Sequence, residues 1–184
     1  MAINISNSET MKGCILLDRD GVLNEERGDY VFRPEDFVIP DDVPAGLKRL
    51  KDAGFALVVV TNQGGISKGL YKAEEVKRLH SKLQDACGGI IDYLFFAPWH
   101  KSISLSLSAK PGSLMLERGM ALTGSVPEKS WIIGDAERDL KAGAQAGARG
   151  ILIPSHKEQE SPLAEKVCRN FTEAVEFILA ASEG

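Results

Sequence analysis

Apolar residues along this chain gather in short continuous runs, and between the runs they recur at helical spacing. Residues 14–17, 55–60, 92–96, 131–134 and 150–153 are five such runs, rich in Val, Ile, Leu and Phe and bounded by Gly, Asp or Asn. Continuous rather than alternating hydrophobicity predicts strands buried on both faces, the kind found in parallel sheets. Between them, Val43, Leu47 and Leu50 share one helical face, with Asp42 as an N-cap and Gly54 as the stop; Val76, Leu79, Leu83 and Ala86 share another, and His80 beside that stripe is a structural or solvated residue. Leu114, Arg118, Ala121 and Leu122 are expected to mark the face of a third helix ending at Gly124, and small residues over 140–147 and a stretch near 172–181 give two more. Strands alternating with helices, without repeats or long linkers, predict an α/β fold: a doubly wound open parallel sheet with helices on both faces.

Polar residues interrupt this pattern where the runs stop. The first run ends in Asp18-Arg19-Asp20-Gly21, the second in Thr61-Asn62-Gln63-Gly64-Gly65, and the fourth in Gly134-Asp135, with Asp139 one helical turn later. Residues two apart on extended backbone point the same way, so Asp18 and Asp20 are expected to converge while Arg19 faces elsewhere. Lys110 precedes Pro111, which holds it on extended backbone just ahead of a helix and within reach of the strand ends. Ligands of open parallel sheets bind beyond the carboxyl ends of the strands, where these signals lie. Carboxylates so grouped suit a hard cation such as Mg²⁺, while Thr61 and Lys110 suit a phosphoryl group. Asp18 is the expected nucleophile, forming an aspartyl-phosphate, and Asp20 the expected general acid and base.

Composition removes several function classes. At 184 residues, 43% hydrophobic and 26% charged, the chain is of ordinary globular make-up and suits one domain over residues 13–184 behind a polar leader at 1–12. The net charge of -4 argues against nucleic acid as a partner. Three scattered cysteines, Cys14, Cys87 and Cys168, predict neither a disulfide framework nor a zinc finger, and with no signal-like or membrane-spanning run the expected location is the cytoplasm.

Taken together, Asp18-x-Asp20-Gly21, Thr61, Lys110 and Gly134-Asp135-x-x-x-Asp139 resemble the four motifs of the haloacid dehalogenase (HAD) superfamily, in order and over residues 14–153. The longer strings over 17–24 and 60–69 resemble the branch containing D-glycero-D-manno-heptose bisphosphate phosphatase and histidinol-phosphate phosphatase. The resemblance implies a Rossmann-like HAD fold and the hydrolysis of a small phosphorylated metabolite, foremost a sugar phosphate. It implies Mg²⁺ held by Asp18, the backbone carbonyl of Asp20, and Asp135. Thr61, Asn62 and Lys110 would surround the phosphate, and Asp139 would steady Lys110 or the metal's waters. Helices and strands fill the stretches between motifs, so no cap domain is expected; substrate selection then falls to a flap over 25–34 and the loop over 97–109.

That branch usually carries four zinc ligands in the second loop, but the matching positions here are Ala97, Trp99, Ser106 and Ser108. No zinc is expected. Ala109 and Ala136 likewise stand where relatives carry an arginine and a lysine. Within the loop, Ile103, Leu105 and Leu107 alternate with serines, a pattern for an edge strand or a partly exposed loop whose apolar residues lie on the chain's own surface or against a second copy. Two other readings remain: a phosphoacceptor module, whose acidic pair would be adjacent rather than spaced, and a phosphatase-like binding protein without turnover.

Overall fold

The computed structural model describes residues 13–154 and 159–182; the leader expected at 1–12 lies outside them. In chain order the elements are β1 (Gly13–Leu17), α1 (Asp42–Asp52), β2 (Phe55–Asn62), α2 (Ala73–Ala86), β3 (Tyr93–Ala97), α3 (Leu114–Thr123), β4 (Trp131–Gly134), α4 (Glu137–Ala146), β5 (Arg149–Leu152), β6 (Lys166–Val167) and α5 (Phe171–Ala181). The strands form one parallel sheet in the order β3-β2-β1-β4-β5-β6. This is the doubly wound α/β architecture. From β1 the chain winds outward through β2 and β3, then returns to β4 on the other side of β1, so a topological switch point lies between β1 and β4.

Alternate side chains of each central strand feed two cores. Ile15, Leu17, Leu57 and Val59 pack with residues of α1, α2 and α5, whereas Cys14, Leu16, Val58 and Val60 pack with α3 and α4. Both faces of the sheet are thereby covered, which is why the strands read as unbroken apolar runs. No folded cap interrupts the connections among the described residues; instead the segment over 25–41 folds back on the sheet, pinned by buried Val31 and Phe37.

Two expectations need correcting. Asp42 is the first residue of α1, not its cap, and its carboxylate accepts hydrogen bonds from the backbone N–H and hydroxyl of Thr172 on α5. Helix α3 buries Met115, Leu116, Gly119 and Met120, leaving Leu114, Arg118, Ala121 and Leu122 outward. The helix is apolar on most sides, so spacing alone picks no face, and the close fit of Gly119 decides: a Cβ there would lie 2.9 Å from Val58. Of the two readings of the loop over 97–109, the exposed loop holds: residues 98–110 form turns and no strand, because Leu105 and Leu107 find nothing to bury against and are 92% and 76% exposed. Strand β6, two exposed residues long, carries no hydrophobic pattern and had no expectation attached to it.

Candidate active site

The polar residues that close β1, β2 and β4 meet at the switch point. Asp18 follows the last residue of β1, and its backbone N–H donates to the carbonyl of Ile133 on β4 (3.0 Å), which fixes it beside the end of that strand. Asp135 follows β4, and Asp139 lies in the first turn of α4. Carboxylate oxygens of Asp18, Asp135 and Asp139 lie within 4.8 Å of one another, and all three residues are buried. Two glycines permit this crowding. Gly21 turns with φ +86°, and a Cβ on it would sit 2.7 Å from Asp135 Oδ2; a Cβ on Gly134 would collide with Asp139 at 2.3 Å.

Lys110 closes the cluster from the other side. Its Nζ, wholly buried, is 2.8 Å from Asp18 Oδ1 and 2.7 Å from Asp139 Oδ1. Asn62 positions it: the side-chain Oδ1 accepts from the Lys110 backbone N–H (2.9 Å) and Nδ2 donates to the Lys110 carbonyl (2.8 Å). Both hydrogen-bonding ends of Asn62 thus engage the lysine's main chain.

Burial opposes the charge on Lys110, but Asp139 and Asp18 outweigh it and raise the lysine's pKa, so it stays an ammonium. For the carboxylates the balance runs the other way. Burial, then the neighbouring charges of Asp18 and Asp139, push Asp135 up to about 7 despite Arg138 and Lys110; burial also raises Asp139 against the pull of Lys110. Three carboxylates in a dry pocket with one buried ammonium carry more negative charge than the protein neutralises there. Such a donor set, all oxygen and converging, fits a small hard divalent cation. It is also the sole grouping of three or more metal-binding side chains among the described residues, and the loop over 97–109 contributes nothing comparable.

Thr61, the penultimate residue of β2, is buried, its Oγ1 accepting from Gln63 Nε2 at 3.0 Å. That leaves its own O–H to donate. Asp20 departs from expectation in one respect: its side chain does not join Asp18 but turns to Arg19 and Gln63. The alternation that would have aligned the pair stops with β1 at Leu17, before either carboxylate is reached. Arg19, expected to face elsewhere, is fully buried beside Asp20.

Arg138, the second residue of α4, was not singled out by the sequence reading. Its half-exposed guanidinium stands at the mouth, Nη2 3.4 Å from Asp135 Oδ1 and 3.9 Å from Asp18 Oδ2. Its place inside the Gly-Asp-x-x-x-Asp string, on the first turn of a helix, was the signal available. Gln63, two residues past Thr61 on a strand end, was findable by the same period-2 argument; Arg19 had no signal, since a buried arginine looks like a surface one in sequence. The loop over 97–109 is seated without metal ligands: Ser67 accepts from the His100 backbone N–H at 2.9 Å and its own N–H donates to the Pro98 carbonyl at 3.1 Å.

Comparison with known proteins places this site in company. Residues 108–175 match the family model described as "HAD-hyrolase-like". The chain is 30% identical over 173 residues to D-glycero-beta-D-manno-heptose-1,7-bisphosphate 7-phosphatase of Helicobacter pylori, covering 92% of this chain and 98% of that one. The enzyme of the same name from Pseudomonas putida is 31% identical, with 80% and 85% covered. Among solved structures, D,D-heptose 1,7-bisphosphate phosphatase from B. bronchiseptica, complexed with magnesium and phosphate, superposes with a TM-score of 0.83 at 26% identity, covering 92% of this chain and 99% of that one.

Proposed function

The chain belongs to the HAD-like phosphatases, in the family of the heptose-1,7-bisphosphate 7-phosphatases, and on that premise we propose that it is a Mg²⁺-dependent phosphomonoesterase removing the 7-phosphate of a D-glycero-D-manno-heptose 1,7-bisphosphate in the cytoplasm. The observation that carries the reading is the union of Asp18, Lys110, Asp135 and Asp139 at one switch point, in a chain alike to such an enzyme over almost its whole length.

Asp18 is the nucleophile. One of its oxygens bonds to phosphorus as the ester P–O bond breaks, the bonding pair staying with the leaving oxygen, which takes a proton from Asp20. Water then attacks phosphorus and passes its proton to Asp20, the P–O bond to Asp18 breaks, and the carboxylate and inorganic phosphate are restored. Lys110, held charged by two carboxylates and aimed by Asn62, fixes Asp18 and draws a phosphoryl oxygen toward it. Thr61 donates its hydroxyl to another oxygen. Asp18, Asp135 and the backbone carbonyl of Asp20 would hold Mg²⁺, which when bound would supply the positive charge that lets one anion approach another. Asp139 keeps Lys110 in place. With no cap, the leaving sugar is met by the flap over 25–34 and the loop over 97–109.

The test is phosphate release from the heptose bisphosphate, the heptose monophosphate and histidinol phosphate, each with Mg²⁺ and with a chelator. Mg²⁺-dependent release favouring the bisphosphate is expected. Preference for histidinol phosphate would move the substrate while keeping the chemistry, and no release from any of them would overturn the reading.

A further inference from the structure

Asp20 is held by groups that take no direct part in the scheme above. Arg19 sets Nε and Nη2 on Asp20 Oδ1 (3.1 and 2.8 Å) and Nη2 also on Oδ2 (2.9 Å), and Gln63 Nε2 donates to Oδ2 at 2.9 Å. Gln63 is itself fixed, its Oε1 accepting from the Tyr71 hydroxyl at 2.8 Å. Behind this face the guanidinium is tied to the flap. Nη2 donates to the Val31 carbonyl at 3.0 Å, and the Phe37 ring centroid lies 5.4 Å from the guanidinium carbon. Lys82 of α2 in turn donates to the carbonyls of Pro34 and Phe37, seating that segment.

A guanidinium with no solvent exposure is costly to bury, and for packing alone an apolar side chain of similar volume would serve as well. What the planar fork adds is direction: bonds to both oxygens fix the plane of the carboxylate, which a point charge would not do. Asp20 remains partly open on its other side, its side chain 24% exposed. We propose that Arg19, with Gln63, is a positioning residue that sets the direction in which Asp20 presents its carboxylate, and that through Val31 and Phe37 this direction depends on how the flap is seated. The inference rests on the reading of Asp20 as the proton carrier.

The experiment uses the Mg²⁺-loaded enzyme and two substrates, a simple alkyl phosphate and p-nitrophenyl phosphate. An alkoxide needs a proton to leave and p-nitrophenolate does not, so a misdirected Asp20 separates the two. Arg19→Met is expected to cut kcat on the alkyl phosphate by about 10- to 100-fold with KM little changed. With p-nitrophenyl phosphate it is expected to give a burst of one product per site followed by slow turnover, because the second half-reaction still needs Asp20. Arg19→Lys keeps the buried charge but loses the fork, and recovers only part of the rate; it carries the test alone if the methionine variant does not fold. Equal losses on both substrates with no burst would mean that Arg19 is merely structural and would overturn the proposal. Asp20→Asn separates the remaining cases. If it is impaired while both Arg19 variants match the wild type, the positioning role falls and the acid/base role stands; if it is itself unimpaired, both fall.

Discussion

Replacing Asp135 by Asn should stabilise the protein when no metal is present and cost it the stabilisation that metal brings. Burial and the charges of Asp18 and Asp139 move the Asp135 carboxyl from its ordinary 3.8 to about 7. The folded state therefore holds this proton more tightly than the unfolded chain does. Metal-free stability falls as pH rises from about 4 to about 7 and then levels. With each pKa unit worth about 1.4 kcal/mol, the ionised group carries about 4 kcal/mol of destabilisation above pH 7, or about half that once structural relaxation is allowed for. In the Asn variant that penalty disappears, while the 3.4 Å approach of Arg138 Nη2 to Oδ1 survives. Urea denaturation followed by the fluorescence of buried Trp131 reads the difference. At pH 8 with chelator the variant should be the more stable by about 2 to 4 kcal/mol, and near pH 4 the gap should close. Mg²⁺ at a hundredfold excess over its Kd adds about 2.7 kcal/mol to the wild type and little to the variant. A variant less stable than wild type at pH 8 in chelator, or a difference unchanged by pH, would refute the picture of Asp135 as a strained carboxylate awaiting a cation.

Three further expectations follow from the same geometry. Asn62→Ala removes both bonds to the Lys110 main chain and should cost about 2 kcal/mol of stability and lower kcat/KM, while isothermal titration finds Mg²⁺ affinity unchanged. Arg138→Ala removes a half-exposed positive charge beside Asp135 and Asp18, so Mg²⁺ should bind up to about fivefold more tightly; weaker binding would show that Arg138 instead holds the ligands in place. The purified protein should contain no stoichiometric zinc and keep its activity in a zinc-selective chelator, the base of the 97–109 loop being tied to Ser67; elemental analysis finding about one zinc per chain, lost together with activity, would contradict this.

What could be read in advance was whatever burial writes into a run of residues. β1, β2 and β4 are sealed by helices on both faces, so their apolar runs are unbroken and end where the sheet ends, which is why Asp18, Thr61 and Asp135 stood out. Period and contact part company beyond those ends. Asp20 lies past the last residue of β1, and its direction is set by Arg19 and Gln63 rather than by strand alternation. α3 offers Leu and Met on most of its surface, and only the close approach of Gly119 to Val58 selects the buried side. In the 97–109 loop the alternation of Ile and Leu with Ser mimics a strand, but no neighbour receives it, and Ile103, Leu105 and Leu107 stand exposed. Asn62 shows the same limit at one residue: its place after Thr61 was legible, its grip on a main chain 48 positions later was not.

The central claim is that Asp18 carries the phosphoryl group between substrate and water. Incubating Asp20→Asn with p-nitrophenyl phosphate and Mg²⁺, quenching in acid and mapping peptides by mass spectrometry tests it directly, since in that variant the intermediate forms from a good leaving group and then breaks down slowly. The account predicts one added phosphoryl group on the peptide containing Asp18, absent without Mg²⁺ and absent when Asp18 is also changed to Asn. Phosphate release by Asp18→Asn at the wild-type rate, or a phosphoryl group on any other side chain, would contradict it.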